Sequence, residues 1–247
     1  MTTDVERHEG VRAVGRRWFV RAVLTGAVAV GSGLELGCSA ASPPTSPGLT
    51  RPRPSSPGSA LRELAGGNQR WRSLHERHPD QTRTVRQELV GGQHPFAIVL
   101  GCVDSRVPPE LVFDQGLGDL MTVRSAGGVL DAAVLASVEY GVLELGIPLV
   151  VVLGHQSCGA VTAAVHADEG GRELPGPLRY LGDQIRPAID RRLRGEARVD
   201  AAVTANVRLV RSRLSRAPDL AERVAAGKLA VVGARYELTS QRVHEIP

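Results

Sequence analysis

Aromatic side chains make up only 3% of the 247 residues, so any core must be aliphatic. The same scarcity leaves no basic block interleaved with aromatics, and the formal charge is only +4. A nucleic-acid surface therefore has little to be built from. Three cysteines are too few for a disulfide framework. The chain also lacks a long apolar run. The mildly apolar stretch Ala22–Leu34 falls short of the roughly 20 residues a membrane-spanning helix needs, so no stable span is expected. No internal repeat is present. The hydrophobic fraction of 42% still allows a sizeable core, in one large domain or two small ones.

Against that background two stretches stand out. Phe96–Leu100 is an apolar run of buried-strand type, ended by Gly101 and followed by Cys102, Asp104 and Arg106. At alternate positions on a strand edge these three side chains would share one side. Leu149–Leu153 is a second buried-strand run, ended by Gly154 and followed by His155 and Cys158. Taken singly, a cysteine after a strand is more often a small buried hydrophobe, and a lone histidine packs or caps. Two such motifs, each at the end of an apolar run, argue for a metal instead. Two thiolates and an imidazole suit Zn2+, and three protein ligands leave the fourth position open, as in a catalytic site.

The remaining organisation follows from composition. Residues 1–41 read as a targeting segment. Gly15–Arg21 resembles a twin-arginine export signal, Ala22–Leu34 fits its apolar region, and small residues follow at Ser39–Ser42. Leu36–Ser39 hints at lipidation on Cys38, although Glu35 sits where an aliphatic residue is preferred. The expectation is export, with a cytoplasmic protein carrying a basic tail as the alternative. Residues 42–58 are rich in Pro and Ser and read as a flexible linker. The catalytic domain is expected over 59–247. Its strands are expected at 96–100, 120–123, 149–153 and 229–236. Helices are expected over 61–77, 132–145, 159–167, 178–194 and 199–214, with a short one opening at Pro108-Pro109. Strands alternating with helices imply an α/β fold with a mostly parallel central sheet flanked by helices.

The motifs Cys102-Val-Asp-Ser-Arg106 and His155-Gln-Ser-Cys158 resemble those of the β-class carbonic anhydrases. Val107–Leu120, Ser137–Gly146 and Val231–Tyr236 are similar too, and the resemblance runs from about Ser59 to the C-terminus. It implies a zinc lyase that reversibly hydrates CO2 to bicarbonate and a proton. It implies one Zn2+ per chain on Cys102, His155 and Cys158, where the metal would bring the pKa of water from about 15.7 toward 7. Asp104 would accept a hydrogen bond from the nucleophilic water, and Arg106 would hold that carboxylate. In closed forms of the family the same aspartate is the fourth ligand. Gln93 and Tyr140 match residues that contact substrate, and a homodimer or larger homo-oligomer is implied.

Three departures from the family pattern stand beside this. Arg124–Gly128 lacks the two asparagines many relatives carry there. Met121 replaces a common pocket aromatic. Val99 stands where bicarbonate-inhibited members have tryptophan, which implies that no regulatory bicarbonate pocket exists. Two other readings share the motif residues: hydrolysis of carbonyl sulfide or carbon disulfide on the same metal, and a non-catalytic zinc- or bicarbonate-binding module. Two thiolates cancel the formal charge of Zn2+, so the site should acidify water less than a three-histidine site would. Hydration activity should accordingly rise through alkaline pH, and a flat stopped-flow profile from about pH 6 to 9 would count against this charge argument.

Overall fold

In the computed structural model, which describes residues 52–247, the apolar runs form the centre of the sheet. Strands β1 (Ala97–Cys102), β2 (Leu120–Ser125), β3 (Leu149–His155) and β4 (Ala230–Tyr236) are parallel, in the order β2-β1-β3-β4. A short strand β5 (Val243–Ile246) adds an antiparallel edge against β4. Every residue of β1 is buried, and so is all of β3 except half-buried Gly154. A parallel strand covered on both faces has no polar face, which is why these segments read as continuous apolar runs and do not alternate.

Successive side chains still point to opposite faces. Ile98, Leu100, Val150 and Val152 face a layer made by α4 (Ala132–Leu143), α7 (Gly195–Arg216) and α8 (Pro218–Ala225), through Val138, Val142, Val210, Leu214 and Leu220. Ala97, Val99, Val151 and Leu153 face α1 (Pro57–Ser73) and α3 (Pro109–Val112), through Ala60, Leu64 and Val112. Leu214 and Leu220 are fully buried, each stabilising the fold by about 2 kcal/mol at most. Gly141 lets α4 lie close on the sheet, since a Cβ there would come within 2.7 Å of Ile98 Cδ1 and Met121 Sδ. A third cluster packs Cys102 and Cys158 against α5 (Gly159–Glu169), α6 (Leu178–Ile185) and α7 through Val161, Val165, Ile185 and Val203.

Helix starts follow local chemistry. Ser56 caps α1 in a reciprocal pair with Ser59, and Pro57 takes the first turn. Asp131 Oδ1 accepts from Val134 N at 2.8 Å to cap α4.

Several expectations need correction. The expected signal and most of the expected linker lie outside the described residues. The described tail of that linker is laid on the domain: the Arg53 guanidinium donates to the carbonyls of His94 and Gly118, and α1 begins at Pro57. The single helix expected over 178–194 is broken. α6 stops at Ile185 and a 3-10 turn spans Arg186–Ala188, because Pro187 lacks an N–H and its ring clashes with the preceding turn. α7 instead runs longer than expected at both ends. Helices α2 (Arg83–Glu88) and α8, and strand β5, were not anticipated, being too short for their periodicity to register. No helix among the described residues is long and apolar enough to cross a membrane.

One buried side chain ties the layers together at the sheet edge. Asn68 on α1 donates from Nδ2 to the carbonyls of Val112 and Gln241 at 3.1 and 3.0 Å, and its Oδ1 accepts from Val243 N at 2.8 Å. Asn68→Ala strands these backbone groups and should cost about 2–4 kcal/mol in urea unfolding. A loss under about 0.5 kcal/mol would show the tie to be dispensable.

Candidate active site

The register sets the site. Ile98 lies beside Val150 and Leu100 beside Val152, so β1 and β3 end side by side. Cys102 is the last residue of β1 and His155 the last of β3. Cys158 follows after a turn in which Ser157 has φ 53°, and it is the N-cap residue of α5. The sulfurs of Cys102 and Cys158 and a ring nitrogen of His155 all lie within 4.8 Å of one another, and all three residues are buried.

The arrangement fits Zn2+ on three counts. The two sulfurs are 3.9 Å apart, close to the roughly 3.8 Å that two thiolates at 2.3 Å from a tetrahedral ion would show. His155 Nδ1 donates to the carbonyl of Gln156 at 2.9 Å, which leaves Nε2 as the lone-pair nitrogen. That Nε2 is buried and has no hydrogen-bond partner, the condition expected of a ligand nitrogen with its tautomer fixed from behind. Without metal, the hydrogen bond from Cys158 holds the Cys102 thiol well below its ordinary pKa, against the effect of burial. The N–H groups of Gly127 and Asp104 act in the same sense. The shared hydrogen bond, with burial, pushes Cys158 up. One proton between two sulfurs is what a divalent ion displaces.

Beside the cluster, Asp104 and Arg106 form a closed pair. The strand has ended by Asp104, so the expected strand-edge alternation of Cys102, Asp104 and Arg106 does not apply. Asp104 Oδ1 accepts from the backbone N of Arg106 at 3.0 Å, an Asx turn. The guanidinium grips both oxygens, Nε to Oδ1 at 2.9 Å and Nη2 to Oδ2 at 2.7 Å. These bonds hold the Asp104 carboxyl far below the usual carboxylate range. A group depressed in this way stays ionised, and its pair intact, until strong acid. Asp104 Oδ2 also lies 3.9 Å from His155 Nε2. Here the carboxylate is engaged by Arg106, and three side chains make up the cluster.

The other motif-derived residues fall differently. Gln93 is exposed just before β1, and Tyr140 on α4 is half exposed. Among the described residues neither side chain has a hydrogen-bond partner, although the Tyr140 carbonyl accepts from Glu144 N at 3.0 Å. His75, His78, His94, His166 and His244 are exposed, as surface residues should be. Met121 packs against the α4 side of the core. Sequence reasoning missed Arg124, which donates to the carbonyls of Cys102 (2.9 Å) and Asp104 (2.7 Å) and so braces the turn. It also missed the N–H of Gly127, 3.2 Å from Cys102 Sγ. Both belong to the Arg124–Gly128 run noted as unusual, which was the available signal.

A family model described as carbonic anhydrase matches residues 97–243, a span that contains both turns. Carbonic anhydrase 2 of Mycobacterium tuberculosis is 43% identical over 188 residues, 75% of this chain and 91% of that protein. The carbonic anhydrase of Mycolicibacterium smegmatis is 43% identical over 191 residues, 76% and 93% of the two chains. Among solved structures, the β-carbonic anhydrase CcaA superposes with a TM-score of 0.60 at 28% identity, over 76% of this chain and 88% of that one. Two tetrameric β-carbonic anhydrases of Sordaria macrospora give 0.61 at 23% identity, over 75% and 96%, a likeness of fold alone.

Proposed function

This chain belongs to the β-class carbonic anhydrase family, whose reaction is the reversible hydration of CO2 to bicarbonate and a proton, and on that premise we propose how its own residues serve the reaction. The observation that carries the reading is the buried Cys102–His155–Cys158 cluster, with the Asp104 carboxylate 3.9 Å from the free imidazole nitrogen. These three side chains hold one Zn2+ per chain. When bound, the metal supplies the Lewis acidity that ionises water near neutral pH.

Asp104 accepts the hydrogen of the attacking water and so aims its lone pair at the carbon of CO2. It can only accept, because Arg106 keeps it ionised and fixes both of its oxygens. Arg106 also donates to the carbonyl of Ser157 at 3.4 Å, which ties the two turns to each other. Gln93 and Tyr140 are assigned to substrate contact, and the proton leaves to solvent. The relatives reported above are all named carbonic anhydrases, and no feature of the site favours a sulfur-containing substrate or a non-catalytic module.

The exposure of Gln93 and Tyr140 suits a pocket completed by a second copy, and we assign a homodimer or larger homo-oligomer, to be read as molecular mass by light scattering. An apolar groove between α1 and the β4–β5 edge, lined by Leu61, Leu64, Phe113, Val232 and Val243, offers one surface for it. Export by the segment at Gly15–Arg21 is part of the same proposal. Replacing Arg16 and Arg17 together by lysine should leave the protein in the cytoplasm, and unchanged export would remove that assignment.

Asp104→Ala separates metal binding from catalysis. It should keep about one zinc per chain by elemental analysis while kcat/KM for CO2 falls about 10- to 100-fold, the range for losing a group that orients a metal site. Full activity in a zinc-replete variant would exclude the orienting role.

A further inference from the structure

Helix α7 contributes a buried amide that the roles above do not use. Asn206 is 5% exposed and faces inward, in the same helix as Ala202 and Val203 of the cysteine cluster. Its Nδ2 donates to the carbonyl of Gly127 at 2.9 Å, across 79 residues of sequence. Gly127 in turn donates its own N–H to Cys102 Sγ at 3.2 Å.

The two bonds belong to the peptide planes on either side of one Cα. Gly127 sits at φ 69°, ψ 9°, and Gly128 follows at φ 64°. Glycine occupies that region about as readily as its mirror image, so nothing intrinsic keeps the Gly127 N–H turned toward sulfur. The bond from Ser125 Oγ to the Val129 carbonyl, at 2.7 Å, closes the loop around a 3-10 turn at Ala126–Gly128. Asn206 adds a side-chain bond from a distant helix to the second of those planes, next to the one that meets the sulfur.

We infer that Asn206 is a positioning residue for the metal centre: by gripping the Gly127 carbonyl it keeps an N–H on the Cys102 thiolate and so governs how firmly the centre retains its metal. This rests on the zinc reading above. An N–H donated to a buried thiolate spreads its negative charge and partners a metal-ligating atom from outside the metal's own shell. It also fixes the direction of the sulfur lone pairs. Without the amide, the loop is free to swing its N–H to solvent, and the sulfur loses that partner.

The test uses the full-length, zinc-loaded protein and a chromogenic chelator that reports zinc release. Asn206→Ala and Asn206→Asp should both release zinc about tenfold faster than wild type or more, and should shift the thiolate-to-metal charge-transfer band when Co2+ replaces zinc. Aspartate is close to isosteric but cannot donate; should its charge prevent folding, the alanine variant carries the measurement. Val210→Ala, one turn further along the same helix, loosens the core without touching the amide. It should lower Tm yet leave zinc release unchanged. Folded Asn206→Ala that releases zinc within about twofold of wild type overturns the inference. So does Val210→Ala that loses zinc as fast, since general loosening of α7 would then be the cause. Wild-type protein that takes up no zinc overturns the metal reading itself, and this inference with it.

Discussion

The parallel pairing of β1 with β3 is the constraint on which the other features depend. Both strands are buried on both faces, so their backbone N–H and C=O groups have no water to fall back on and must find each other. That demand sets the register at Ile98 beside Val150. A slip of one residue would turn every side chain to the wrong layer, exchanging the set that faces α4 and α7 with the set that faces α1. Because parallel neighbours end on the same side of the sheet, one register brings two chain reversals far apart in sequence to adjacent points. This is the edge where open α/β sheets place their ligands.

The site built there answers a charge problem. Two sulfurs and a carboxylate are gathered at one sheet edge, the sulfurs packed against an aliphatic cluster. Each receives donors from a different element. The Gly127 N–H reaches Cys102, while Cys158 sits at the start of α5, where free N–H groups favour a thiolate. Asp104 takes three bonds from Arg106, counting its backbone. Arg124, which donates to backbone carbonyls of the same turn, stiffens the segment that carries them. The division of labour is physical: the sulfurs are stabilised by neutral N–H groups and leave the charge for a cation, whereas the carboxylate is neutralised by an arginine and keeps its direction.

Other charged groups brace the frame at a distance from the chemistry. Buried Arg198 on α7 is paired with Asp168 and Glu169 at the end of α5, and buried Arg235 on β4 with Asp200 and Glu237. Breaking one partner of such a pair leaves a buried charge uncompensated, which is more costly than the intact pair is stabilising. They therefore act more as a penalty on displaced helices than as a source of net stability. Since α7 carries Arg198, Asn206 and the core residues Val207, Val210 and Leu214, its placement serves sheet cover and loop support together.

The chain's composition and patterning by themselves determined the aliphatic core, the four apolar strands, the helices between them and the two turns that carry Cys102, His155 and Cys158. These are local properties. Burial on both faces writes a continuous apolar run, glycine ends it, and a chemically distinctive residue follows. The break at Pro187 was local too, written in the proline itself, whereas tertiary structure alone decided the pairing of the short strand β5, the Asx turn that folds Arg106 back onto Asp104, and the tautomer that frees His155 Nε2. It also decided which backbone N–H reaches the Cys102 sulfur. The reason in each case is that the outcome depends on a partner distant in sequence or on a balance between competing conformations. A glycine carries no record of which way its peptide will face, and an asparagine on a long helix carries no record of the carbonyl it will meet.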